Sequence, residues 1–120
     1  MAAATIEEYI ESLSGEAQRV VREFADFIGE YYPQLRGIIS FSMPMWLAGK
    51  KLREGYVAIS AASRHFSIHF SDEAFVWKLG NRLPRCPTGK RCVNIRYGDD
   101  ASFEIVKESL AAFFPGQKKG

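Results

Sequence analysis

His65-Phe66-Ser67-Ile68-His69-Phe70 alternates without a break. Phe66, Ile68 and Phe70 point one way and His65, Ser67 and His69 the other, the mark of a strand with one buried and one polar face. Such a strand needs neighbours, and the chain offers four: near Ile38–Phe41, Met45–Ala48, Tyr56–Ala61 and Cys92–Tyr97. The last repeats the alternation, with Val93, Ile95 and Tyr97 on one face and Cys92, Asn94 and Arg96 on the other. The Ala62-Ser63-Arg64 link is so short that it requires an antiparallel hairpin. Pro44 cannot donate to a ladder, which predicts an edge, a bulge or a strand-to-strand corner over Ser42–Trp46. A corner there would project Trp46 over one sheet face.

Around this sheet the periodicity is helical. Thr5-Ile6-Glu7-Glu8 reads as a capping box that opens a short helix with Ile6, Tyr9, Ile10 and Leu13 on one stripe. Ser14 caps a longer helix that must end before Pro33, burying Ala17, Val20, Val21, Phe24, Phe27, Ile28 and Tyr31. Asp72–Leu79 forms a short helix with Phe75 and Leu79 inward. Asp99 or Asp100 caps a final helix that buries Phe103, Val106, Leu110, Phe113 and Phe114. The order is α-α-β-β-β-β-α-β-α, an α+β fold with the terminal helices on one face of an antiparallel sheet of about five strands. Residues 1–120 read as one domain with its core at 5–114 and a flexible tail at 115–120.

No apolar run approaches the roughly 20 residues that span a bilayer. Met1-Ala2-Ala3-Ala4 has neither a basic nor an apolar signal region, so a cytoplasmic protein with Cys86 and Cys92 as reduced thiols is expected. Charge is unevenly spread. Residues 1–33 hold two Arg against seven acids, residues 34–98 eleven Lys/Arg against three acids, and residues 99–120 three Lys against four acids. Acidic helices therefore flank a basic sheet-and-loop region, a pattern that can mark an anionic partner.

Familiar reaction motifs fail on geometry. His65 and His69 share a strand face but lie roughly 13 Å apart along it, too far for one zinc ion in a regular strand. Cys86 and Cys92 are spaced more widely than a usual zinc pair. Thr88-Gly89-Lys90 resembles the end of a phosphate loop, but Pro84 and Arg91 stand where that motif needs Gly and Ser or Thr. Ser67 and His65 are about 6.6 Å apart in strand rise, which does not suit a nucleophile–base pair.

Two kinds of binding surface remain, one basic and one acidic. The polar sheet face, with His65, Ser67, His69, Asn94 and Arg96, Lys90 beside it and Trp46 as a wall, is a cleft for an anionic ligand. The basic middle, with Lys50, Lys51, Arg53, Arg64, Arg82 and Arg85 beside Trp46, Tyr56 and Trp77, suits nucleic acid less well, because its charges sit mostly at turns. The second kind is the row Glu23, Asp26 and Glu30, spaced i, i+3 and i+7 on a helix, an open site for a hard cation such as Fe²⁺, Mn²⁺ or Mg²⁺. Arg19–Glu23 and Arg22–Asp26 are i,i+4 pairs that would neutralise part of it.

The chain resembles the YdhG-like family, small proteins catalogued as a domain of unknown function. Four stretches carry the resemblance: Thr5-Ile6-Glu7-Glu8-Tyr9-Ile10 with Leu13, Ile39-Ser40-Phe41-Ser42-Met43-Pro44-Met45-Trp46, His65–Phe70, and Thr88-Gly89-Lys90-Arg91-Cys92-Val93-Asn94-Ile95. One departure is Ser42, where many relatives have Gly. The resemblance implies an α+β fold and, since some relatives are described as frataxin-like iron chaperones, an iron-binding role. Iron would then sit at Glu23, Asp26 and Glu30, with Glu7, Glu8 and Glu11 nearby. These readings describe a binding protein rather than an enzyme, taking a small ligand, a metal ion or a protein partner, with no membrane.

Overall fold

A computed structural model of the chain describes residues 3–117. Its elements are α1 (Ile6–Glu11), α2 (Gly15–Tyr31), β1 (Arg36–Ser40), β2 (Met43–Leu47), a 3-10 turn (Leu52–Glu54), β3 (Tyr56–Ala61), β4 (His65–Phe70), α3 (Glu73–Gly80), β5 (Cys92–Arg96) and α4 (Asp100–Phe113). The five strands form an antiparallel meander in the order β1-β2-β3-β4-β5. The α+β order is the one expected. Among the described residues, no helix is long and apolar enough to cross a membrane.

The helix starts follow from their caps. The Thr5 hydroxyl accepts from the Glu8 N–H at 3.1 Å, while the Glu8 carboxylate reaches the Ala4 N–H at 2.8 Å, one residue before the cap. Ser14 occupies the N-cap of α2 without a side-chain cap bond. Asp72 accepts from the Ala74 and Phe75 N–H groups, and Asp99 from that of Ser102, each satisfying first-turn donors that no helical carbonyl can reach.

One apolar layer lies between the helices and the inner sheet face. Ile10 of α1, Val20, Val21, Phe24 and Ile28 of α2, and Phe103, Val106 and Leu110 of α4 pack on Val57, Ile59, Phe66, Ile68, Phe70, Val93 and Ile95. Phe24 is fully buried, edge-on to Trp46 at 5.6 Å and tilted against Phe103 at 6.2 Å. Truncating it to Ala would cost about 3–5 kcal/mol. Tyr31 does not join this layer as expected; it is 38% exposed. The helix ends there, so Tyr32 turns inward instead, buried against Phe27 and Phe114.

The first hairpin departs from the reading at Pro44. The turn falls on Phe41-Ser42, both with positive φ (51° and 61°), making a two-residue loop between the paired Ser40 and Met43. Paired positive φ values are those of the hairpin turn that matches strand twist. Pro44 lies inside β2, opposite Ile39, and the ladder with β3 begins only at Met45, so the missing N–H leaves that ladder intact. Pro44 and Trp46 thereby share the helical face. Gly37 lets this happen, since a Cβ there would meet Ile6 Cδ1 at 2.8 Å and the Trp46 indole at 3.2 Å. Trp46 is 5% exposed, so it walls no cleft on the outer face.

The outer face of the sheet is divided. Towards β1 it is apolar, with Met45, Leu47 and Ala58 buried under Ile38, Met43 and Tyr56. Towards β5 it carries Ser60, His65, Ser67, His69, Asn94 and Arg96, paired across the strands as Ser60–Ser67, Ser67–Asn94 and His65–Arg96. Beyond β5, the loop returns as a stub. The Asn94 N–H donates to Pro87 O, and the Gly89 N–H to Cys92 O, which covers the inner part of an edge that would otherwise stay open. Gly89 is needed for this closeness, because a Cβ would lie 2.9 Å from Cys92 Sγ. Cys86 is buried in the core and Cys92 half-buried, both as free thiols. Pro115–Gln117 form a turn after α4, and the rest of the expected tail, like Met1 and Ala2, lies outside the described residues.

Candidate functional site

The largest cleft among those described, about 840 Å³, opens where β4 begins and β5 ends. The His65–Arg96 pair forms its floor, Arg64 enters from the β3–β4 turn, and Arg85 and Pro87 enter from the loop before β5. Asn94 ties the parts together. Its Oδ1 accepts from the Ser67 hydroxyl at 2.5 Å, and its Nδ2 donates to Pro87 O at 3.2 Å, fixing the loop to the polar sheet face. Tyr97 closes one side, with its ring against Phe66 at 5.6 Å and its hydroxyl donating to Ala62 O at 2.7 Å. Burial first, with the charges near it, pushes the Tyr97 phenol upward, so the hydroxyl stays a proton donor at neutral pH.

The charge balance of this cleft is cationic. Three arginines line it against one carboxylate, Asp99. That carboxylate is turned to α4: Ser102 donates its hydroxyl at 2.6 Å and its N–H at 3.2 Å. The Ser102 hydroxyl is the main cause that holds the Asp99 pKa down, with the nearby Arg85 charge adding to it. Among the described residues Arg64, Arg85 and Arg96 form no ion pair. Guanidiniums arranged in this way match carboxylate or phosphate oxygens in a two-pronged geometry.

Of the residues expected at a cleft, His65, Asn94 and Arg96 line this one, and Ser67 stands behind Asn94. His69 lies further along the outer face, 3.0 Å from the Ser60 hydroxyl, and burial pushes its pKa down. Lys90 lines a different cleft. Trp46 is on the opposite side of the sheet. Arg64, Arg85 and Tyr97 were not placed here by sequence; Arg64 precedes His65 directly, but Arg85 sits in a loop with no period to assign it a face.

The acidic row is also brought together, in a groove of about 550 Å³ along α2. Glu23, Asp26 and Glu30 line it with Arg19, Arg22 and Lys107 of α4. Lys107 is only 8% exposed, and its ammonium sits 2.8 Å from Glu23, 2.7 Å from Glu104 and 4.6 Å above the Phe103 ring. Burial would lower its pKa, but the hydrogen bonds to Glu104 and Glu23 outweigh that, and the net direction is up. Arg19 approaches Glu23 at 3.7 Å as expected, whereas Arg22 turns from Asp26 to Glu7 of α1 at 2.9 Å, and its hydrogen bond lowers the Glu7 pKa. Glu8 is occupied at the cap of α1. Among the described residues, no three His, Cys, Asp or Glu side chains converge so as to hold a metal ion.

No family model matches this chain, and no curated protein matches it. A solved structure does: a DUF1801-family protein, YdhG from Bacillus subtilis, determined at 1.75 Å, superposes with a TM-score of 0.67 at 13% identity. The match covers 90% of this chain and 89% of that one. The chain has the YdhG fold. The YdhG-like resemblance carried by the motifs and the structural match agree. At this identity the agreement concerns architecture, and the chemistry must be argued from the clefts.

Proposed function

We propose that the protein binds a small anionic ligand, through a phosphate or carboxylate group, in the cleft at the end of β5. The observation that carries this reading is the set of Arg64, Arg85 and Arg96 around one cleft, with its only acid committed to the cap of α4. Asn94, held by Ser67 and Pro87, adds a neutral amide near the charge, while the Tyr97 hydroxyl is committed to Ala62 O. His65 gives the site a further imidazole. The ferrous-iron reading of Glu23, Asp26 and Glu30 has less support, because an internal ammonium already sits on Glu23. The free thiols are in keeping with a reducing, cytoplasmic setting.

Calorimetric titration with pyrophosphate tests this reading. Saturable heat at micromolar concentration, about 8 kcal/mol of binding free energy, with an affinity that falls about tenfold or more in Arg85→Glu/Arg96→Glu, supports it. Heat indistinguishable from dilution, or an affinity unchanged in that variant, refutes it. The same titration with Fe²⁺ in wild type and Glu23→Lys/Asp26→Lys addresses the acidic row separately.

A further inference from the structure

A second cleft, about 450 Å³, lies on the other side of the stub that pairs with β5, lined by Glu73, Ala74, Trp77, Thr88, Gly89 and Lys90. Its wall is the indole of Trp77, which is 70% exposed, whereas Trp46 is 5% exposed. Helix α3 buries Val76 and Leu79 and so turns Trp77 outward. From Ala74 to Gly98 the chain holds Lys78, Arg82, Arg85, Lys90, Arg91 and Arg96 and not one Asp or Glu. All six are exposed, and among the described residues none is in an ion pair. Pro87 lines the arginine cleft and Thr88–Lys90 line this one, so the two clefts share one short segment.

We propose that this edge binds single-stranded nucleic acid, with a base stacked on Trp77 beside Lys90 and neighbouring phosphates in the arginine cleft. The proposal rests on the anion-binding reading for its phosphate contacts and adds the stacking site. An uncovered aromatic face beside unpaired cations is the arrangement that accepts any base of a flexible strand. Bases within a duplex are stacked on one another and do not present that face. Glu73, the one acid of this cleft, can accept from the amino group of a base. An acidic peptide would satisfy the cations but would leave the indole without a flat partner.

The test uses the full chain and a fluorescent oligothymidylate of about a dozen residues, read by anisotropy and by quenching of tryptophan emission, at salt from about 50 to 200 mM. Binding should quench Trp77, weaken steeply with salt and fall about tenfold or more in Trp77→Ala, with the salt slope unchanged. Lys90→Glu/Arg91→Glu should flatten that slope. Trp77 is exposed, so Trp77→Ala should keep the wild-type unfolding midpoint, which excludes misfolding as the cause. No binding at the lowest salt, equal binding of a duplex of the same length, or an affinity that Trp77→Ala leaves unchanged overturns the proposal. Pyrophosphate titrated into Trp77→Ala separates the two readings. Wild-type heat, together with oligonucleotide binding that does not depend on Trp77, overturns the nucleic-acid proposal alone. No heat from either protein overturns the anion reading and the phosphate placement proposed with it.

Discussion

The groove along α2 and the cleft at the end of β5 are both lined by charge, but the charge is used in opposite ways. In the groove, Lys107 is buried between Glu23 and Glu104 and over the Phe103 ring, so its partners are already present. In the cleft, three arginines are exposed, and the one acid is taken by a helix cap. A buried charge without partners would be too costly to keep, so the groove had to solve its electrostatics on folding. Exposed guanidiniums are solvated by water and impose no such demand. The first arrangement holds the fold together, and the second leaves binding capacity free.

The most severe way to break the comparison is to reverse charge in each region. Lys107→Glu would set a third carboxylate between Glu23 and Glu104, and should cost about 3–5 kcal/mol in chemical denaturation. Arg96→Glu, exposed and unpaired, should change stability by no more than about 0.5 kcal/mol. If the two cost the same, the division between structural and available charge is wrong. Next in size, Arg85→Glu/Arg96→Glu should weaken pyrophosphate binding about tenfold or more, a difference of about 1.4 kcal/mol, while the unfolding midpoint stays near wild type.

A change outside both regions calibrates these effects. Ser42 stands at φ 61°, a left-handed conformation that costs a residue with a side chain roughly 1 kcal/mol. Ser42→Gly should therefore raise stability by about 0.5–1 kcal/mol and leave pyrophosphate binding unchanged. The smallest effect expected concerns His69. Burial lowers its folded pKa below 6.5, so its contribution is fully present above pH 6.5 and is lost as pH falls from there towards the folded pKa. His69→Gln should lose less stability than wild type between about pH 7.5 and 5.5, measured by urea midpoints; an equal loss would place the titration elsewhere.

The sequence made the sheet legible where local pattern and burial agree. His65–Phe70 and Cys92–Arg96 alternate, and the structure buries the same side of each. It failed at the first hairpin, because Phe41-Ser42 carries none of the Asn-Gly chemistry that marks a two-residue turn. Of the edge, bulge or corner that Pro44 allows, only the corner projects Trp46 over a cleft, whereas Trp46 packs on Phe24. His65, Asn94 and Arg96 could be grouped because strand parity groups them. Arg85 could not, since a loop has no parity. Partial neutralisation of the acidic row by Arg19 is legible at i,i+4, but Lys107 is not: it is 84 residues from Glu23 and only packing of α4 on α2 brings them together.

Backbone amide NMR during a pyrophosphate titration tests most directly where the available charge lies. The account predicts saturable shifts at Arg64–Ser67, Arg85 and Asn94–Asp99, with α2 and the Lys107 region of α4 unmoved. Shifts concentrated on α2 and α4, or no shifts at all, would contradict it.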